Sequence, residues 1–165
     1  MPIHEKLLSE FDEDVLITRR VIERVPTDKG EWKRHPKSFA LGHLTQLVAT
    51  MPGWIARMLS ENEMNLAGGA GYSLQKTESL LEQFDKLAAQ AHEAFTTTSD
   101  ADFEAPWSLK MGDNVLMTRP RYDAVRQTIN HLCHHRGQLS VYLRLIDVPV
   151  PSIYGPTADE GWNQG

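Results

Sequence analysis

Residues 121–146, RYDAVRQTINHLCHHRGQLSVYLRLI, decide how this chain is to be read. Val125, Ile129, Leu132, Leu139, Leu143 and Ile146 recur at three-, four- and seven-residue steps. That is the period of one apolar helix face, so a long amphipathic helix is expected from just after Pro120 to about Ile146. Within it, His131 and His135 stand one helical turn apart. This spacing stacks two rings on one side of a helix, where two neutral imidazole nitrogens can hold one metal ion. In projection His135 lies about 40° from His131, and Gln138 and Tyr142 lie within roughly 20° of it, all at the polar edge of the apolar stripe. His134 points away from the shared face and reads as solvated or hydrogen-bonded. Cys133 falls on the opposite side and reads as a small buried hydrophobe, not a ligand.

Outward from this helix the same period recurs. From Ile3, the residues Leu7, Leu8, Phe11, Val15, Ile22 and Val25 predict a first helix that ends before Pro26. Residues 27–36 hold proline, glycine and charge and read as a loop, with Ser38 as the expected N-cap of the next element. A second helix carries Ala40, Leu44, Leu47, Met51, Ile55 and Met58, and Pro52-Gly53 is expected to bend or locally break it. Residues 65–71 include three glycines and read as a flexible connection. A third helix is expected from residues 73–77 through Phe95. Trp107, Leu109 and Met111, then Val115 and Met117, alternate on either side of Gly112-Asp113-Asn114, which predicts a short hairpin. Four long helices in residues 1–165 imply one all-α domain, a helical bundle with a small ribbon between its third and fourth helices. The tail from Asp147 is rich in proline and glycine and is expected to wrap irregularly over the surface, capping the core.

Composition bounds the function. At 165 residues, 41% hydrophobic and 24% charged, the chain is long enough to bury a core without disulfides, and it has one cysteine. A net charge of −5 without clustered Lys and Arg argues against nucleic acid as a partner. No stretch has the length and apolarity of a membrane span, and no apolar leader opens the chain, so a cytoplasmic protein is expected.

His43 on the second helix occupies the same kind of position as His131 and His135, at the edge of its apolar stripe near Leu47 and Trp54. Spacing alone leaves the three open between metal ligands and core histidines satisfied by hydrogen bonds. As ligands, three imidazoles would leave a divalent ion an open position for water or a thiolate, the arrangement of a catalytic site. Zn, Ni and Fe all suit such nitrogen donors. His4, His35 and His92 lie in terminal, loop or polar contexts and take no role. Arg126 and Arg144 read as solvated or ion-paired, and no carboxylate stands out as a general base.

The string HLCHHRGQLSVYLRLIDVPVPSIYGPTADE, residues 131–160, resembles the C-terminal motif of the DinB-like (DinB/YfiT) superfamily, and SFALGHLTQLV, residues 38–48, resembles its second-helix histidine motif. The resemblance implies an antiparallel four-helix bundle, often a homodimer, with a divalent metal held by His43, His131 and His135. It further implies a metal-dependent enzyme that activates a thiol or water, since the superfamily includes bacillithiol transferases and mycothiol-dependent isomerases. A low-molecular-weight thiol is then the expected substrate. The competing expectation is a metal-binding stress-response protein without catalysis.

Overall fold

The computed structural model describes residues 2–162 and contains five helices and a small sheet. Four helices are long: α1 (Ile3–Glu23), α2 (Leu41–Ser60), α3 (Thr77–Thr97) and α5 (Arg121–Leu145). Helix α4 (Asp100–Glu104) is a single short turn started by a capping box, in which Ser99 and Asp102 satisfy each other's amides. Strands β1 (Glu63–Asn65), β2 (Pro106–Met111) and β3 (Asn114–Pro120) form the sheet in that order.

The long helices touch in a circuit: α2 packs on α3 and α5, and α1 packs on the same two. Two apolar clusters fill the interior. One gathers Val21, Ile22, Leu44, Val48, Phe84 and Leu139, and the other gathers Phe11, Ile55, Phe95, Phe103, Trp107 and Ile129. The predicted stripe of α5 is the buried one, with Val125, Ile129, Leu132, Leu139 and Leu143 inaccessible to solvent.

The predicted hairpin is present, β2 pairing antiparallel with β3 so that Trp107 faces Arg119 and Met111 faces Asn114. Gly112 makes the turn at φ +60°, a conformation without penalty for a residue lacking Cβ. The sheet differs from the expectation in having a third strand. Residues 63–65, which share only Asn65 with the segment read as flexible, pair parallel with β2, and the Asn65 side chain clasps the backbone of Gly112 in both directions at 3.0 Å. A three-residue strand has too few positions to show an alternating pattern.

Two further expectations are corrected. Ser38 is not the cap of α2: its own amide donates to the His35 carbonyl, and the helix begins three residues later behind Ala40, which offers no capping side chain. Main-chain carbonyls take that role, Trp32 O accepting from Leu41 N at 2.9 Å and Gly30 O from Gly42 N at 2.8 Å. The approach is close enough that a Cβ at Gly42 would stand 3.2 Å from Gly30 O and 2.9 Å from the Tyr72 hydroxyl. Of the bend or local break expected at Pro52, the break does not occur, since α2 runs uninterrupted from Leu41 to Ser60. Val48, Met51 and Ile55 anchor the turns on both sides in the core, and the Thr50 hydroxyl donates to the Gln46 and Leu47 carbonyls.

Helix α5 ends with Asp147 in the left-handed region at φ 60°, and Val148 N reaches back to Leu143 O at 3.0 Å. This reverses the chain, as glycine does at many helix ends. The tail then returns along α1 without regular structure. Glu160 pairs with Arg20 and Arg24 and accepts from Ser152 N, while Asp159 pairs with Arg144 and accepts from Val150 N.

Candidate metal centre

The α5 register brings His131 and His135 together: their Nε2 atoms are 2.8 Å apart. His131 is exposed, and His135 retains 9% of its surface. Burial holds both imidazoles below their ordinary value. His131 is lowered further by His135 and His134, and His135 by His134 against the opposing effect of its hydrogen bond to Gln138. Both rings are therefore neutral at pH 7, the form that donates a lone pair to a cation.

Gln138 sets the tautomer. Its Oε1 lies 2.7 Å from His135 Nδ1, and a carbonyl oxygen can only accept, so Nδ1 carries the proton and Nε2 presents its lone pair. Through this oxygen the side chain orients a ring. In this arrangement His131 Nε2 donates to His135 Nε2. Two nitrogens at about 2.0–2.1 Å from a tetrahedral ion stand roughly 3.3 Å apart, so ligation would need the two to separate by about half an ångström and the His131 proton to move to Nδ1. On those terms the pair offers two nitrogen donors to a divalent ion.

His43 stands beside the pair. Its ring stacks on Tyr72 with 4.7 Å between centroids and packs on Phe39 at 4.5 Å. Phe39 also meets His135 at 6.4 Å, and Trp54 meets His131 at 6.2 Å, so aromatic residues connect His43 to the pair through Phe39. Among the described residues, no three His, Cys, Asp or Glu side chains are close enough to hold one ion. The structure thus brings His131 and His135 into contact and leaves His43 in an aromatic stack next to them.

Cys133 differs from the buried hydrophobe expected. Its Sγ lies 3.3 Å from Asp14 Oδ2 and 3.0 Å from the Tyr154 hydroxyl, on the side of α5 turned to α1 and the tail. Burial pushes the thiol up, with the Tyr154 hydrogen bond opposing, so it is protonated at pH 7. The same network holds a strongly buried cation. Arg136, 1% exposed, donates to Asp14 Oδ1 at 2.8 Å and to Thr18 Oγ1 at 3.0 Å, and its guanidinium lies 4.9 Å from the Tyr154 ring centroid. Burial opposes its charge, and the hydrogen bond and charge of Asp14 more than offset this. Helical projection overlooked both members, because an Arg on a helix and an Asp inside an apolar pattern each read as surface; the only signal was the place of Arg136 in the His-Arg-Gly-Gln-Leu run. Arg126 and Arg144 are ion-paired, to Glu10 and Asp159.

A model of the DinB family matches residues 1–164. The chain belongs to the DinB family. The family fold is shared with a DinB-like protein from Bacillus cereus, at 18% identity and TM-score 0.74 over 91% of this chain and 97% of that one. A DinB-like protein from Bacillus subtilis is similar at 14% identity and TM-score 0.70, over 90% of this chain and 96% of that one. No functionally curated protein matches the chain.

Proposed function

We propose that this DinB-family chain is a divalent-metal-dependent enzyme of thiol-transferase type, with His43, His131 and His135 as the metal donors and a low-molecular-weight thiol as substrate. The observation that carries the reading is the pair of neutral imidazoles facing each other through Nε2, one of them fixed in its ligating tautomer by Gln138. His43 is the third donor we assign, one aromatic contact from His135 through Phe39. A divalent ion bound there, Zn, Ni or Fe, would supply Lewis acidity at an open position and lower the pKa of a thiol or water.

The residues of the chain do the rest. Gln138 keeps the His135 proton on Nδ1. Leu47, Trp54 and Met64 provide an apolar wall to the cleft that His43 lines, which limits water near the donors. The attacking sulfur comes from a bound molecule, because Cys133 is protonated and directed at Asp14 and Tyr154, away from the histidine pair. The circuit of contacts among α1, α2, α3 and α5 supports reading them as one antiparallel bundle, and homodimer formation belongs to the same proposal through the family resemblance. Among the described residues no helix is long and apolar enough to cross a membrane.

Metal analysis of untagged protein tests the assignment. Wild type is expected to bind one equivalent of divalent ion, and His131→Ala, His135→Ala and His43→Ala are each expected to lose most of it while keeping their circular dichroism. Unchanged metal content in His131→Ala would overturn the site. Metal-dependent stabilisation by an added thiol supports the enzyme, whereas stabilisation by metal alone favours a non-catalytic metal-binding protein.

A further inference from the structure

His43 and His135 line two different clefts, which differ in charge. The cleft on the His43 side, about 400 Å³, is lined by neutral groups such as Gln46, Thr50, Trp54 and Tyr72, and its one cation, Arg57, is held by Glu61 at 2.9 Å. The cleft on the His135 side, about 310 Å³, is lined by Arg34, Lys37, Ser38 and Gln138 together with the apolar Phe39 and Val141. No carboxylate lines it. Neither Arg34 nor Lys37 has an ion-pair partner among the described residues.

The polar groups of this second cleft are matched to an acceptor. Gln138 spends its oxygen on His135 Nδ1 and leaves its amide nitrogen as a donor, beside a guanidinium, an ammonium and the Ser38 hydroxyl. The loop that carries the two cations is held in place. Lys37 N donates to His35 Nδ1 at 3.1 Å, Ser38 N to His35 O at 2.9 Å, and the Tyr142 hydroxyl ties Phe39 O to α5 at 3.2 Å. In a chain of net charge −5, two unpaired cations at the mouth of one small cleft make a local attractive field for anions. The volume lies at the lower end of the roughly 300–1,000 Å³ range of ligand pockets, which suits a small acid.

We propose that this cleft binds the anionic end of the substrate, a carboxylate or phosphate, with Arg34 and Lys37 as its specificity-determining residues. This rests on the thiol-transfer reading only in naming the other end of that molecule as the sulfur presented beside His131 and His135. The thiol would then reach the histidines from the basic cleft, and its electrophilic partner from the neutral cleft of His43 and Trp54.

Calorimetric titration of the metal-loaded protein with mercaptosuccinate and with 2-mercaptoethanol compares thiols with and without carboxylates. At about 50 mM salt the carboxylated thiol is expected to bind about tenfold or more tightly. That preference should vanish in Arg34→Ala/Lys37→Ala and persist in Arg34→Lys. Both positions are exposed, so unchanged metal content and melting temperature serve as the control for folding. Equal affinity for the two thiols in wild type, or a preference that survives the double substitution, would overturn the inference. Succinate separates the two proposals, since it should bind with or without metal and only when Arg34 and Lys37 are present. Succinate binding without thiol binding would support the anion subsite and reject thiol transfer. Inorganic phosphate displacing succinate at lower concentration than succinate's own affinity would assign the subsite to a phosphate-bearing substrate, and weaker displacement to a carboxylate.

Discussion

Gln138 lies three residues beyond His135, and at that spacing a side chain folds back over the preceding turn to meet its neighbour. The 2.7 Å bond it makes decides which nitrogen of His135 is free, a choice that a ring with two equivalent-looking nitrogens does not make for itself. Removing the oxygen in Gln138→Leu should therefore weaken metal binding about 10–100-fold, the usual cost of losing an orienting partner, whereas Gln138→Glu keeps an acceptor and should retain affinity. Competition with a chromophoric chelator measures this; equal affinities for the Leu variant and wild type would show that the ring needs no such support. Helical projection placed Gln138 on the correct face but could not tell acceptor from donor, because that depends on how the amide is turned. Cys133 shows the same limit. Its angle on the helix is legible, but the polar company of Asp14 and Tyr154 comes from residues 119 and 21 positions away.

The tail after α5 shows how an irregular segment becomes an ordered element. Its prolines and glycines preclude a helix, so its main-chain groups need partners from elsewhere, and the carboxylates of Asp159 and Glu160 accept from Val150 N and Ser152 N. The hydrogen bond from Arg144 holds Asp159 below the usual carboxylate range, with Val150 adding to it. The Ser152 amide and then Arg20 and Arg24 hold Glu160 low. A carboxylate lowered on docking favours the docked tail at pH values above its free-chain pKa, and the gain is lost as pH falls through the lowered value. Hydrogen-exchange protection at Val150 and Ser152 is accordingly expected to hold at pH 5 and to fall below about pH 4, and Glu160→Gln should reduce it at pH 5 and above and converge with wild type in acid, where Glu160 is itself neutral. Protection that is flat through acidification would mean that the carboxylates do not hold the tail. At this scale the four long helices and the hairpin were legible because each repeats its period several times. Strand β1, the capping of α2 by Gly30 and Trp32, and the continuity of α2 through Pro52 were not, since each depends on a contact with another segment.

Across the whole molecule, the Asp14–Arg136 pair joins three parts of the chain. On α1, Asp14 falls between Phe11 of one apolar cluster and Val21 of the other, and Arg136 reaches it from α5 while the Tyr154 hydroxyl of the tail donates to Asp14 Oδ1 at 2.7 Å. With Asp14 3% and Arg136 1% exposed, neither charge can be hydrated if the other is removed. Arg136→Met should destabilise the protein by about 3–5 kcal/mol, and adding Asp14→Leu should recover most of the loss, because the penalty lies in the stranded carboxylate. Urea unfolding of the single and double variants distinguishes this from a surface pair, which would move stability by less than about 1 kcal/mol.

By itself the sequence determined the number and extent of the long helices, the hairpin, the buried stripe of α5 and the proximity of His131 and His135, since all of these follow from local periodicity along one segment. The motif residues also pointed to the DinB family. Only the tertiary structure decided that Arg136 is a buried partner of Asp14, that His43 rests between Phe39 and Tyr72 beside the histidine pair, and that two cations of the 30–40 loop face His135 across a cleft. Each of these joins residues far apart in the chain, and their energies depend on burial and on the partner's position, which no spacing within a single helix encodes.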